Sequence, residues 1–415
     1  MDGGGASAKK LGERLLGDVA VEGLASILAS LRKLALPDGA RKVFGIPELD
    51  VLLLQPAPVQ PPPRQITAAA QNQRQHENDD LWTPNAPSHQ QHQPVQPPAP
   101  TIARQAQHPS THQHPHILEL ISPPPTHHPS PAGKTSLLYH LTTHAILPSH
   151  LGTILISGLN SAVVILDPLS HFHIPRLAQI MLCHISRHLR TADRDISDEG
   201  VRIEVLECVK RSLQHVHIFR PTCWEGLLAT LSSLPSYLFD GPRHRSMNRP
   251  IHALILEDMH IFTPHIRSLS TSTTSPHTAT PNPNPLTTPS IHLTTHLTHL
   301  STHLSTNIIL TSHSTSPGAF RPPLPTAWPP ALQARVTRLT VRRVEVVKFA
   351  PGMCVEEAEG ERRKRWDIVE RGRFEVWRVR PGAGPGGGGK EKGKEGEGFV
   401  FRVGGGVEIE REEGL

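Results

Sequence analysis

Aromatic side chains are scarce in this 415-residue chain: Phe, Trp and Tyr make up only 4% of it. Cysteine is scarcer still. Cys183, Cys208, Cys223 and Cys354 are the four present, and no two stand at CxxC or zinc-finger spacing. That excludes a dense disulfide framework and a cysteine-based zinc module, and fits buried or unpaired thiols in a reducing compartment. No apolar run reaches the ~18 residues of a membrane span. The opening stretch MDGGGASAKKLGERLL has no apolar core of the kind a secretory signal needs. The expectation is a soluble intracellular protein with no membrane partner. An excess of one charge is also missing: 42 Lys and Arg face 37 Asp and Glu, a net of +5. Such a balance is compatible with a nucleic-acid partner without requiring one. The 28 histidines add positive charge only below about pH 6.5.

Proline, at 42 residues, is abundant. With Gln and His it fills residues 55–115 in tracts such as QPAPVQPPP and HQQHQPVQPPAP. Tracts of this kind cannot bury enough apolar surface to offset chain entropy, so this segment is expected to be disordered. Four segments follow. Residues 1–54 carry one helix (11–36, with Leu24, Ile27, Leu28, Leu31 and Leu34 at helical spacing) and the apolar link VFGIPELDVLLL. Residues 55–115 are the first insertion. Residues 116–330 form an α/β core with a second, Ser/Thr/Pro-rich disordered insertion at 268–290. Residues 331–415 are a β-rich extension with a flexible Gly/Lys/Glu loop at 381–398.

Within the core, HILELIS (116–122) reads as a strand and the run after Lys134 as a helix burying Leu137, Leu138, Leu141 and Ala145. TILISG (153–158) reads either as a strand or as an insertion. AVVILD (162–167) is a continuous apolar run, the pattern of a strand buried on both faces of a parallel sheet, and IHALILED (251–258) reads as another buried strand; HVHIF (215–219) and NIILTSHS (307–314) read as further strands. Helices are expected at about 174–190, at 223–239 and over IHLTTHLTHLSTHL. Strands alternating with helices predict an α/β fold with a mostly parallel sheet. After residue 331 the alternation in RVTRLTVRRVEVVKF, RFEVWRV, FVFRV and GVEIE predicts strands that extend that sheet.

The segment SPAGKTSLLYHLTTHAIL (130–147) carries the chemistry. Gly133-Lys134-Thr135-Ser136 between a strand and an amphipathic helix is how a phosphate-binding loop ends. Backbone N–H groups face the anion at a helix N-terminus, the lysine reaches the terminal phosphates, and the hydroxyl reaches Mg²⁺. Two departures leave a working and a vestigial nucleotide site both open. His128 stands where the first loop glycine belongs, and Pro131 removes an N–H donor. A more literal GxxxxGK match, GPGGGGKE (384–391), lacks a hydroxyl after Lys390 and a following helix, and reads as a linker. Glu257 or Asp258, closing the apolar run ALILED, could hold Mg²⁺ through water. Lys134 and this acidic tip are expected to converge across neighbouring strands.

Other groups have plainer readings. His292, His296, His299 and His303 form one helical stripe, chemically able to hold a metal but adjoining a Leu293/Leu297/Leu300/Leu304 core stripe that makes theirs the solvated face. RRKR (362–365) reads equally as a nuclear address or phosphate contact and as a solvated loop. Arg335, Arg338, Arg342 and Arg343 add basic charge to a strand. Trp328, Trp366 and Trp377 are the candidates for base stacking, without a compact platform.

The succession GKTSLLYHLT, VVILDPLSHFHIPRL, ALILEDMHIF, NIILTSHS and RPPLPTAW resembles the RecA-type recombinases, and is most similar to their small eukaryotic paralogues. VFGIPELDVLL and FVFRVGGGVEIE resemble segments that precede and close that core. The resemblance covers roughly 43–54, 116–267 and 291–412. It implies a RecA-like P-loop NTPase core that binds ATP and Mg²⁺ through Gly133, Lys134, Thr135, Ser136, Glu257, Asp258 and His313, with Thr135 and Glu257 toward Mg²⁺ and His313 in the γ-phosphate-sensing position. Leu169 falls where active recombinases carry a catalytic Glu, which implies slow or absent hydrolysis because leucine cannot polarise water. It further implies a nuclear subunit of double-strand-break repair, paired with another recombinase paralogue and reaching single-stranded or branched DNA through the complex. In RecA-like folds the DNA-facing loops correspond to 268–290 and 313–330, the first of which is neutral Ser/Thr/Pro sequence. The alternatives from other classes are a P-loop small-molecule kinase or signalling NTPase, which would need a lid of arginines (here only the dispersed Arg194, Arg202, Arg211 and Arg220), and a nucleotide-free scaffold.

Overall fold

The computed structural model describes residues 43–54, 115–124, 133–272, 286–315, 320–333, 335–344, 352–370, 372–379 and 398–410. The expected helix at 11–36, the first insertion, His128, Pro131 and the GPGGGGKE stretch lie outside them.

Eleven strands are described: β1 (Ile117–Ser122), β2 (His150–Leu151), β3 (Ile154–Leu155), β4 (Ala162–Leu166), β5 (Val216–Phe219), β6 (Ile251–Leu256), β7 (Asn307–His313), β8 (Val336–Arg343), β9 (Arg373–Arg378), β10 (Gly398–Val403) and β11 (Val407–Glu410). Nine of them form one sheet in the order β11-β10-β9-β8-β1-β7-β6-β4-β5. From β8 to β5 every neighbour is parallel, whereas β9, β10 and β11 are added antiparallel. The run AVVIL of β4 is buried at every position, as a strand covered on both faces must be. β2 and β3 pair only with each other, so TILISG is an insertion between core elements.

Helices cover both faces. On one lie α1 (Pro47–Leu54), α2 (Lys134–Ile146), α3 (Ile174–Thr191) and α4 (Glu199–Leu213). Their apolar sides meet Leu118, Leu120, Val163, Ile165, Ile255 and Val341. On the other lie α5 (Trp224–Leu238), α6 (Phe262–Ser272) and α7 (Thr287–Leu304), against Ile117, Val164, Leu166, Leu254, Leu256 and Ile308. Successive strand residues point to opposite helix layers, the two-residue period of a pleated strand. Two shorter or more polar helices, α8 (Pro330–Gln333) and α9 (Val355–Glu370), complete the described α-helices.

The sequence reading needs five corrections. VFGIPELDVLLL ends in helix α1, entered through a tight turn in which the Asp50 carboxylate accepts from the N–H groups of Phe44 (2.7 Å) and Gly45 (3.2 Å). Helix α4, started by Asp198 accepting from Gly200 N–H at 3.0 Å, was not expected. Its exposed Ile203 and Leu206 blur the apolar stripe of Val201, Val205 and Val209. The 268–290 insertion is trimmed at both ends, because α6 runs to Ser272 and α7 begins at Thr287. The extension after 331 is not purely strands: RRKR sits on α9. Finally, β1 and β6 are not neighbours, since β7 lies between them.

Candidate functional site

The parallel strands all end on the same side, and the polar residues gather there, as is general for open α/β sheets. Ser122 ends β1, His313 ends β7, Asp167 follows β4, and Glu257 and Asp258 follow β6. Gly133 precedes α2 with φ +82°, a left-handed backbone that favours glycine. A Cβ there would also come within 2.6 Å of the Phe374 ring on β9. Gly133→Ala is therefore expected to cost about 1–2 kcal/mol through the backbone alone, with more from displacing the ring. A thermal melt would show it as a drop of about 2–4 °C per kcal/mol; an unchanged Tm would contradict the strain.

Lys134 opens α2, is buried, and donates from Nζ to Ser122 Oγ at 2.7 Å. Burial lowers its ammonium to about 8, against the raising fields of Asp258 and Glu257. One residue on, Thr135 Oγ1 donates to Glu257 Oε1 at 2.5 Å. Thus the acidic tip reaches the loop even though a whole strand intervenes. Glu257 is buried, and its Oε2 has no hydrogen-bond partner among the described residues. Burial raises its carboxyl to about 7, helped by Asp258 and Asp167 and opposed by the Thr135 hydroxyl and His171. Ser136 stands half-buried in the same first helical turn.

Asp258 adopts a left-handed backbone, φ +52°, held by its N–H donating to Thr311 Oγ1 on β7 at 2.9 Å. Its Oδ2 lies 2.8 Å from His171 Nδ1. His313 Nδ1 lies 2.8 Å from Ser122 Oγ and 3.4 Å from the Pro123 carbonyl. Asp167 is fully buried and accepts from the N–H groups of His171 and Phe172, both at 2.9 Å. Its role is to fix the following turn. Leu169, two residues beyond it, is 42% exposed and offers no proton acceptor.

All seven candidate residues therefore fall at this end of the sheet. Ser122, His171 and His260 were missed. Only Ser122 had a usable signal, as the last residue of a strand feeding the loop. The His292/His296/His299/His303 stripe behaves as the solvated face of α7, above buried Leu293, Leu297, Leu300 and Leu304. The basic strand is largely neutralised: Arg338 pairs with Glu119 at 2.7 Å, and Arg342 pairs closely with Glu375. Trp328 is buried, Trp377 lies under the Arg342 guanidinium at 4.7 Å, and Trp366 is exposed. Much of the 313–330 loop is docked on the core through Leu324, Thr326 and Trp328. The arginines that a kinase lid would need are exposed: Arg202 and Arg211 on α4, Arg194 and Arg220 beside it.

The lysine at a helix N-terminus, the adjacent hydroxyl and the buried carboxylate with one free oxygen have the chemistry to hold a phosphate with a hydrated divalent cation. No protein-family model matches the chain, and no curated protein matches it significantly.

Proposed function

We propose that this chain has a RecA-like core that binds ATP with Mg²⁺ and serves as a paralogue subunit in homologous recombination. In this reading it joins another recombinase paralogue in the nucleus and assists filament assembly on single-stranded or branched DNA through the complex. The observation that carries the reading is the contact between Thr135 and Glu257 beside Lys134 at the start of α2. Such convergence at the carboxyl ends of parallel strands is what a phosphate site requires. Lys134, with Gly133 and Ser136, would hold the phosphates. Thr135 and Glu257 would hold the cation, whose part is to neutralise phosphate charge. Asp258 and His313 would stand beside the terminal phosphate. The exposed Leu169 supplies no general base, so turnover is slow.

Titration of the full chain with a fluorescent ATP analogue and Mg²⁺ tests the reading. Wild type is expected to bind, and Lys134→Ala to weaken binding by at least about tenfold, in the range of a lost charge-assisted hydrogen bond. Equal affinity of the two proteins would defeat the nucleotide reading. Steady-state hydrolysis at the rate of an active recombinase, abolished in Lys134→Ala, would defeat the assignment of slow turnover. Affinity purification that recovers no recombinase paralogue would defeat the assembly role, leaving the scaffold or kinase readings.

A further inference from the structure

Beside the phosphate loop, and separate from the Thr135–Glu257 pair, stand three groups of different origin: Asp258, His260 and His313. One donor atom from each lies within 4.8 Å of the other two. We propose that these three side chains form a binding site for a zinc-class divalent transition metal, distinct from the hydrated cation that would accompany a nucleotide. Asp258 Oδ1 and His260 Nδ1 are already 3.8 Å apart, and His260 Nδ1 is buried with no hydrogen-bond partner among the described residues. Bonds of about 2.1 Å to a tetrahedral metal need donor separations of about 3.4 Å, so modest side-chain rotations close the set.

The surroundings prepare each ligand. In the tautomer that carries its proton on Nδ1, His313 donates toward the Pro123 carbonyl and keeps the Nε2 lone pair free for a metal. Ser122 Oγ sits on the same Nδ1, the kind of supporting contact that fixes ring orientation in metal sites. His171 holds Asp258 Oδ2, which leaves Oδ1 to turn toward the metal. The left-handed backbone at Asp258 turns the chain sharply, so that Asp258 and His260, two residues apart, come to the same place. Such strain is commonly kept where function requires it. The charge balance is favourable: Asp167, Glu257 and Asp258 are gathered around the single Lys134. Imidazole with carboxylate suits zinc, cobalt or nickel over magnesium, and three protein ligands leave a position open to water or an oxyanion.

The test uses metal-stripped full-length protein without nucleotide, so its failure is separable from failure of the phosphate reading. Zn²⁺ is titrated against a chromophoric chelator, and Co²⁺ binding is followed by its visible absorption. Wild type is expected to show one tight site above weaker binding by its many other histidines. His260→Ala/His313→Ala is expected to weaken that site at least 100-fold and abolish the intense cobalt bands, while His292→Ala/His296→Ala on α7 leaves both intact. If circular dichroism shows the first double variant unfolded, Asp258→Asn and His313→Gln replace it with the same expectation. No tight site in wild type, or one that survives these substitutions, overturns the proposal.

Discussion

Acidification from neutral pH is expected to unfold this protein between about pH 4 and pH 5, mainly by protonation of histidines that the fold keeps neutral. His140 and His144 on α2 and His184 and His188 on α3 form a continuous stack whose successive ring centroids are each 4.7 Å apart. His140, His144 and His184 are buried. Burial lowers His140 and His184 to about 3, and His144 well below the ordinary value. The groups facing them are mostly cationic or carbonyl. Arg187 Nη2 lies 3.2 Å from His184 Nδ1, the Ile156 carbonyl is 3.0 Å from its Nε2, and Glu408 draws Arg187 only from 3.6 Å.

The sign follows from proton counting. Below pH 6.5 the unfolded chain takes up protons that the folded chain refuses, so stability present above 6.5 is lost as pH falls toward 3. Each such histidine contributes about 1.4 kcal/mol per pH unit, and three together about 4 kcal/mol per unit, against a typical stability of about 5–15 kcal/mol. Glu257 works the other way between about 4.5 and 7, because its folded carboxyl is raised, and cancels roughly one histidine. His140→Leu/His144→Leu should be neutral or stabilising at pH 7, since both Nδ1 atoms are buried with no hydrogen-bond partner among the described residues. It should also move the acid midpoint downward and flatten the slope by about 2.7 kcal/mol per pH unit. An acid transition equally steep in that variant, followed by circular dichroism, would remove the stack as its cause.

Loss of the Glu119 carboxylate is expected to cost about 3–5 kcal/mol. Glu119 lies in β1, buried in the middle of the sheet, and its two oxygens take four donors. Thr326 Oγ1 (2.6 Å) and Trp328 Nε1 (3.4 Å) reach Oε1; Arg338 Nε (2.9 Å) and Nη2 (2.7 Å) form a two-pronged contact with Oε2. The acid therefore ties β1 to β8 and fastens the connection before α8 to the core. Removing it leaves a guanidinium and two further donors unpaired. Arg338 is 31% exposed, and that access to water places Glu119→Ala toward the lower end of the range. Glu119→Gln, which keeps shape and loses charge, should fall between wild type and Ala. Urea unfolding with a loss under about 1 kcal/mol would show that the acid does not hold these segments.

Such a residue shows why the sequence revealed some things and hid others. β4 and β6 were visible because strands buried on both sides are continuous apolar runs, β1 and β7 because short apolar stretches alternate with helical ones. Their partners were not: nothing in ILELIS says that NIILTSH will lie on one side and VTRLTVRR on the other. Lys134 and Thr135 could be found because their motif is local, Gly-Lys-Thr-Ser at the entry to an amphipathic helix. The Asp258–His260–His313 group could not, because His313 arrives from a strand more than fifty residues later. Glu119 looked like a polar interruption in a strand, and only the register reveals that Arg338 sits opposite. α4 and α9 were missed for a common reason: exposed apolar residues on one, and charge all round the other, erase the contrast between faces on which helical periodicity depends.

The central strand also constrains how the molecule is made. β1 leaves the ribosome early, but its flanking strands β7 and β8 come much later; the Ser122–His313 contact alone spans 191 positions. At about 5–20 residues per second, the middle of the sheet waits roughly 10–40 s with both edges bare. Assembly is thus delayed until most of the polypeptide has been synthesised, and a nascent chain arrested before β7 would leave an apolar strand with both edges open to any chaperone within reach.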